Sequence, residues 1–252
     1  MRNGTAFVAL SLFPPHLLRD DPSGSNMENK HRGFTLIELL VVIAILAILA
    51  AVLMPVFARA KTASKKAVAL VHLKQWHAAW SLYAADADDT ACPSYYFAGG
   101  EEVAWDFAVR PGAWRLGLLG PYHKAAELAR APGQTTGAWG RPHTGYAYNT
   151  SYIGGDTGQG TLPVSLSRPE NPAETVLFAT GGFGRPVRPQ NYLRAPSDPL
   201  FIGGMVHYRY DGAAVWVAVD GHAVAARQRF RSPLNSPALG SLSLHDELYD
   251  LD

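Results

Sequence analysis

Between Leu39 and Phe57 the chain runs for 19 consecutive residues without a charge or a strongly polar group. At about 1.5 Å per residue, a helix of that length reaches roughly 28 Å, close to the hydrocarbon thickness of a bilayer. Buried helices of globular domains seldom run so far without a polar face, so the pattern predicts a membrane-inserted helix. A secretory signal peptide fits less well: it has a shorter apolar stretch, with a small-residue cleavage site after it. Here Glu38 sits at the start of the run. A carboxylate in a membrane segment costs on the order of 2.5–3.5 kcal/mol on insertion scales, so its presence needs a reason. Pro55, near the far end, removes a backbone donor and crowds the preceding turn, which predicts a kink or local melting.

Beyond the apolar run the period changes. Leu73, Trp76, Trp80 and Tyr83 recur at steps of three and four, an apolar stripe on one helix face. Frequent alanines around them favour helix and permit close packing. Asp88-Asp89 and Ala91-Cys92-Pro93 mark the end, so the helix is expected from Phe34 to about Ala87, some 80 Å at the usual rise. Further on, Ala213 to Val219 and His222 to Phe230 read as strands. Asp220-Gly221 between them reads as a two-residue hairpin turn in which both positions accept positive φ. Thr175 to Thr180 reads as another strand ended by Gly181-Gly182, and Gly- and Pro-rich loops are expected from Tyr95 to Arg168. The sum is an α+β chain, a long amino-terminal helix packed on a small antiparallel sheet.

Composition adds mainly exclusions. With 22 basic and 21 acidic side chains, net charge favours neither nucleic acid nor an acidic partner, and no basic block interleaved with aromatics occurs. The single cysteine, Cys92, rules out an intrachain disulfide and any Cys-x-x-Cys motif. It is either a buried, inert thiol or half of an intermolecular bridge.

Gly33-Phe34-Thr35-Leu36-Ile37-Glu38 followed by the apolar helix resembles the amino-terminal signal of type IV prepilins and type II secretion pseudopilins. The resemblance implies cleavage by a prepilin peptidase between Gly33 and Phe34 and methylation of the new Phe34 amine. It implies that Lys30, His31 and Arg32 stay with the leader on the cytoplasmic side, where they help recognition. It gives Glu38 an assembly role, pairing with the Phe34 amine of a neighbouring subunit; the plainer alternative is that Glu38 caps the first helical turn. The order implied is a leader at 1–33, a membrane half of the helix at 34–57, an amphipathic half at 58–89 and a β-rich exported head at 90–252. Family leaders are short, so Met27 is the expected true start. Charge counting points the other way on topology, because Arg59, Lys61, Lys65 and Lys66 outnumber Lys30 and Arg32 across the helix; the cleavage motif is the more specific signal.

The head resembles a domain, found in related bacterial prepilin-type proteins, that is named for a histidine and a following Asp-Gly pair. Asn171-Pro172-Ala173-Glu174-Thr175-Val176-Leu177-Phe178 and His207…Asp220-Gly221-His222 carry that likeness. Twelve residues separate His207 from Asp220, against nine in the family pattern. His207, Asp220 and His222 are also the residues a metal ion in the head would use; Asp220 as a turn residue is the simpler account, and no cofactor is otherwise expected. No nucleophile elbow, zinc-protease or phosphate-loop motif occurs, so no enzyme is expected. Tyr95, Tyr96, Phe97, Trp105, Trp114, Trp139, Tyr146, Tyr148 and Tyr152 are either core or outward-facing rings able to stack on glycans.

The expected function is thus a pilin or pseudopilin, anchored by a single pass in the bacterial inner membrane with its head exported. Its expected partners are other pilin-like subunits, the prepilin peptidase, an inner-membrane assembly platform and the lipid bilayer. The alternative is an anchored, adhesin-like surface protein that enters no filament. The motif does not distinguish major pilin, minor pilin and pseudopilin.

Overall fold

The computed structural model describes residues 34–233 and 236–252. Helix α1 runs from Leu36 to Asp86 and passes through Pro55 without a break, so local melting there is not part of this structure. It starts two residues later and stops one residue earlier than the sequence pattern suggests. The stop is built by Asp88 and Asp89, both left-handed at φ +51° and +55°, with the Asp89 amide donating to the Ala84 carbonyl at 2.9 Å. Aspartate tolerates that conformation better than most side chains, which is why this pair ends the helix.

By internal contacts the chain divides at Ala50 and Ala51. In the first unit the described helix is exposed throughout and, apart from Glu38, apolar. The second unit contains the rest of α1 and every strand. In it the helix buries Ala69, Leu73, Trp76, Ala79, Trp80 and Ala84, a face at steps of three and four.

Two sheets accompany the helix. The smaller is an antiparallel meander of β1 (Tyr95–Ala98), β2 (Glu101–Ala104), β3 (Phe107–Arg110) and β4 (Ala113–Leu116). The larger is built around β6 (Val176–Phe183). On one side of β6 lie β10 (Ala214–Ala218) and then β11 (Ala223–Ala226); on the other lie β5 (Tyr146–Asn149) and β8 (Tyr192–Leu193). Short strands β7 (Arg188–Pro189) and β9 (Met205–His207) pair with the far end of β6, and β12 (Leu239–Gly240) pairs with β9. Among the described strand pairs, only β5 and β8 run parallel.

The meander corrects the expectation of loops after Tyr95. The Gly and Pro residues read there as loop are its turns: Ala98 pairs with Glu101 across Gly99-Gly100, which sit at φ +58° and +79°. A second correction concerns Gly181-Gly182, which continue β6 instead of ending it. A Cβ on Gly181 would meet the Ala147 Cβ and the Gln190 carbonyl oxygen at 2.4 Å each, so glycine there permits close strand approach. The hairpin of β10 and β11 is as expected, but its turn is not. Only Gly221 has positive φ, at +93°; the Ala218 amide donates to the His222 carbonyl and Gly221 returns a bond to Ala218, both at 3.0 Å. That is a three-residue loop with glycine at its left-handed position.

Aromatics form most of the join between helix and sheets. The Trp76 ring meets Trp105 edge-on at 4.7 Å between centroids. Trp76 Nε1 donates to the Leu128 carbonyl at 3.3 Å and Trp80 Nε1 to the Tyr148 hydroxyl at 2.9 Å. Tyr148 in turn donates to the Cys92 carbonyl at 2.9 Å. Cys92 itself is fully buried, and burial pushes its thiol well above the usual range, the inert option of the two considered.

Candidate functional site

The opening of α1 is a reciprocal cap. The Thr35 amide donates to Glu38 Oε2 at 2.9 Å, and the Thr35 hydroxyl donates to the same oxygen at 2.7 Å. The Glu38 amide faces Thr35 Oγ1 at 3.2 Å. Threonine followed three residues later by glutamate is a capping box, which satisfies amides that a helix start leaves unpaired. Glu38 therefore has the capping geometry in this structure. Both side-chain bonds fall on Oε2, so capping and a second ionic contact through Oε1 are compatible.

Around this cap the described side chains of the helix are exposed. Phe34 is 74% exposed, and large apolar residues from Leu36 to Phe57 are all exposed. The apolar window is 0% buried within the molecule. A surface this apolar and continuous demands lipid or other helices around it. Lys30, His31, Arg32 and Gly33, with the rest of the leader and Met27, lie outside the described residues.

In the head, the structure brings Asp220 and His222 together but not His207. His222 Nδ1 lies 2.7 Å from Asp220 Oδ1, and the same oxygen accepts the His222 amide at 2.9 Å. Asp220 thus closes its own turn, as its residue type favours. His207 belongs to β9, beside the Gly181 end of β6, whereas Ala218 pairs with Val176 at the opposite end. At about 3.3 Å per residue that register alone separates them by well over a metal's reach. Among the described residues no three His, Cys, Asp or Glu side chains form a group able to hold a metal ion.

His207 has a structural setting instead. Its carbonyl accepts from Thr180 Oγ1 at 2.9 Å, and its Nδ1 is buried without a partner. Burial, followed by the nearby Arg209 cation, lowers its imidazole to about 4, against about 6.5 in an unfolded chain. A histidine that folds neutral gains its proton on unfolding. Its contribution is therefore intact above about pH 6.5 and is lost as pH falls through 6.5 toward 4. We expect a loss approaching about 3 kcal/mol by pH 4, largely absent from His207→Asn. Urea unfolding across this range tests it; parallel pH slopes for the two proteins would refute the assignment. Asp156 titrates below this window: burial opposes its ionisation, but hydrogen bonds from Tyr95 and Arg194 outweigh burial and hold it at about 2.

A charged cluster escaped the sequence reading. Arg141, with a fully buried side chain, places Nε 3.1 Å from Asp106 Oδ2 and Nη2 2.5 Å from Glu102 Oε1. The same Nη2 is 3.1 Å from the Tyr192 hydroxyl. An aspartate between Trp105 and Phe107 was the available signal, since such a flanked carboxylate is seldom buried unless paired.

The aromatics divide. Trp76, Trp80, Trp105 and Trp216 are buried, while Trp114 and Trp139 are 49% and 53% exposed. Phe97, Glu102, Val109 and Trp114 are successive cross-strand partners through the meander, hence on one face. They line a groove of about 540 Å³.

Residues 29–54 match the family model described as the prokaryotic N-terminal methylation motif. Over 64 residues the chain is 39% identical to the type IV major pilin protein PilA of Myxococcus xanthus (strain DK1622), an alignment covering 25% of this chain. The chain thus spans about 29% of that curated relative's length. No solved structure gives a significant match.

Proposed function

From an amino-terminal segment that is of the type IV prepilin and pseudopilin family, we propose that this chain is a structural filament subunit, cut between Gly33 and Phe34 and methylated on Phe34. The observation that carries the reading is the capped, wholly exposed apolar helix with a carboxylate in its first turn. In this reading the leader residues Lys30, His31 and Arg32 present the cut site to a prepilin peptidase. The helix then holds the subunit in the inner membrane until an assembly platform draws it into a pilus or a secretion-type filament. Its chemistry is association, with no catalytic step of its own.

The cut leaves a cationic amine on Phe34 at the end of an apolar helix. Glu38 Oε1 of an adjacent subunit offers it a partner, so two charges costly in lipid offset one another and fix the stagger between helices. Glu38→Ala is expected to insert and be cut normally yet to abolish incorporation into filaments. Intact mass and amino-terminal sequencing of the membrane-extracted protein, with sheared filament yield, test both steps. An uncut chain would end the processing proposal, and wild-type yield from the variant would end the assembly role.

An anchored surface-binding protein is the second reading, favoured by the exposed Phe97–Trp114 row. It predicts cut protein that never leaves the membrane fraction.

A further inference from the structure

Four cations follow the apolar run, the opposite of what topology by charge would favour, and the fold gives some of them a shared destination. Arg59, Thr62 and Lys66 are spaced by three and four, so they stand on one helix face. With Tyr210, Asp211 and Arg227 of the head they line a pocket of about 260 Å³. Arg227 is steadied from the head side, its Nη1 donating to the Asp211 carbonyl at 2.8 Å and its Nη2 3.6 Å from Asp211 Oδ2. Among the described residues neither Arg59 nor Lys66 has a carboxylate partner, although Lys66 is partly buried. Three cations therefore face one carboxylate. Tyr210, whose buried hydroxyl has no partner, forms part of the wall.

We propose that this pocket binds the phosphate of an anionic phospholipid headgroup at the point where the helix leaves the bilayer. Position supports the assignment. Arg59 and Thr62 lie two and five residues beyond Phe57, about 3 to 8 Å along the helix. The headgroup layer on one side of a bilayer is roughly 5–8 Å deep. Cations near an anionic surface contribute about 1 kcal/mol each, and two unpaired ones converging with Arg227 on a single cavity select a phosphate over a neutral headgroup. The reversed charge balance across the helix is then a binding feature of the outer side. This inference rests on membrane insertion of the apolar run.

The test uses the full chain in mild detergent, mixed with vesicles of phosphatidylcholine alone or with added phosphatidylglycerol. Flotation with neutral vesicles reports the helix; extra affinity for phosphatidylglycerol reports the pocket. Arg59→Gln/Lys66→Gln is expected to weaken phosphatidylglycerol binding about thirtyfold, the equivalent of about 2 kcal/mol. Lys61→Gln/Lys74→Gln removes equal charge outside the pocket; only Lys61 lies near the surface, so binding is expected to weaken no more than about fivefold, the equivalent of about 1 kcal/mol. Equal losses in the two variants would overturn the proposal in favour of diffuse attraction. Displacement of the lipid by inorganic phosphate at matched concentration would overturn it in favour of a free-phosphate site. Failure to float with neutral vesicles would instead overturn membrane insertion itself.

Discussion

Arg141→Met is expected to destabilise the head by about 3–5 kcal/mol, the range for stripping one partner from a buried ion pair. The geometry explains the size. Asp106 is 1% exposed and Arg141 4%, and the Asn191 amide and the Phe107 backbone amide also reach the Asp106 carboxylate, at 3.2 and 2.8 Å. Burial raises the Asp106 carboxyl, with the Arg141 charge the chief opposing influence. Without arginine the folded state would hold Asp106 protonated while the unfolded state ionises it. Folding would then bind a proton, so the gap between the variant and wild type should narrow as pH falls, on top of the loss through His207 that both share. Arg141→Met with Asp106→Leu should recover much of the loss, because the charge left behind, Glu102, is partly exposed to water while no fully buried charge remains unpaired. Urea midpoints near pH 7 and pH 5 decide the matter. A single-variant loss under about 1 kcal/mol, or no recovery in the double variant, would mean the cluster is incidental.

Trp76→Ala should cost a similar amount, about 3–5 kcal/mol, by opening a cavity where the helix meets the sheets. The ring is fully buried and touches Trp105 at 4.7 Å, His123 at 4.5 Å and Phe178 at 6.2 Å between centroids. Its loss also removes the only hydrogen bond from the indole, to the Leu128 carbonyl. If the chain assembles as proposed, the consequence is mechanical as well as thermodynamic, since a filament would transmit load through the join between helix and head. Near-ultraviolet circular dichroism during urea unfolding of the detergent-solubilised chain measures it. An effect no larger than that of an exposed control, Lys74→Ala, would show that the join lies elsewhere.

The helix was legible because each of its parts rests on local chemistry: an unbroken apolar run, then a three-four stripe, then two aspartates that accept left-handed backbone. The hairpin of β10 and β11 was legible for the same reason, though turn length depends on which residue pairs across it. The meander was hidden because its strands are four residues each, too short to show a period, and its turn residues read equally well as loop. The Arg141 cluster was hidden more deeply. The partners of Arg141 lie 35 to 51 positions from it, and no local rule links them to it. The family likeness that linked His207 with Asp220, despite its departing spacing, does not make them neighbours, because β6 sets them at opposite ends of one strand.

The cap at Thr35 and Glu38 bears on what cutting the chain would change. Every atom in it belongs to residues after the Gly33–Phe34 bond, so the precursor and its product share one helix start. In the proposed processing, removing the leader would subtract its cations and add one at Phe34 while leaving each of these bonds in place. For the helix start, the step from stored to polymerising subunit proposed above is then a change of charge written onto an unchanged cap. On that proposal, processing readies the helix start for assembly without rebuilding it.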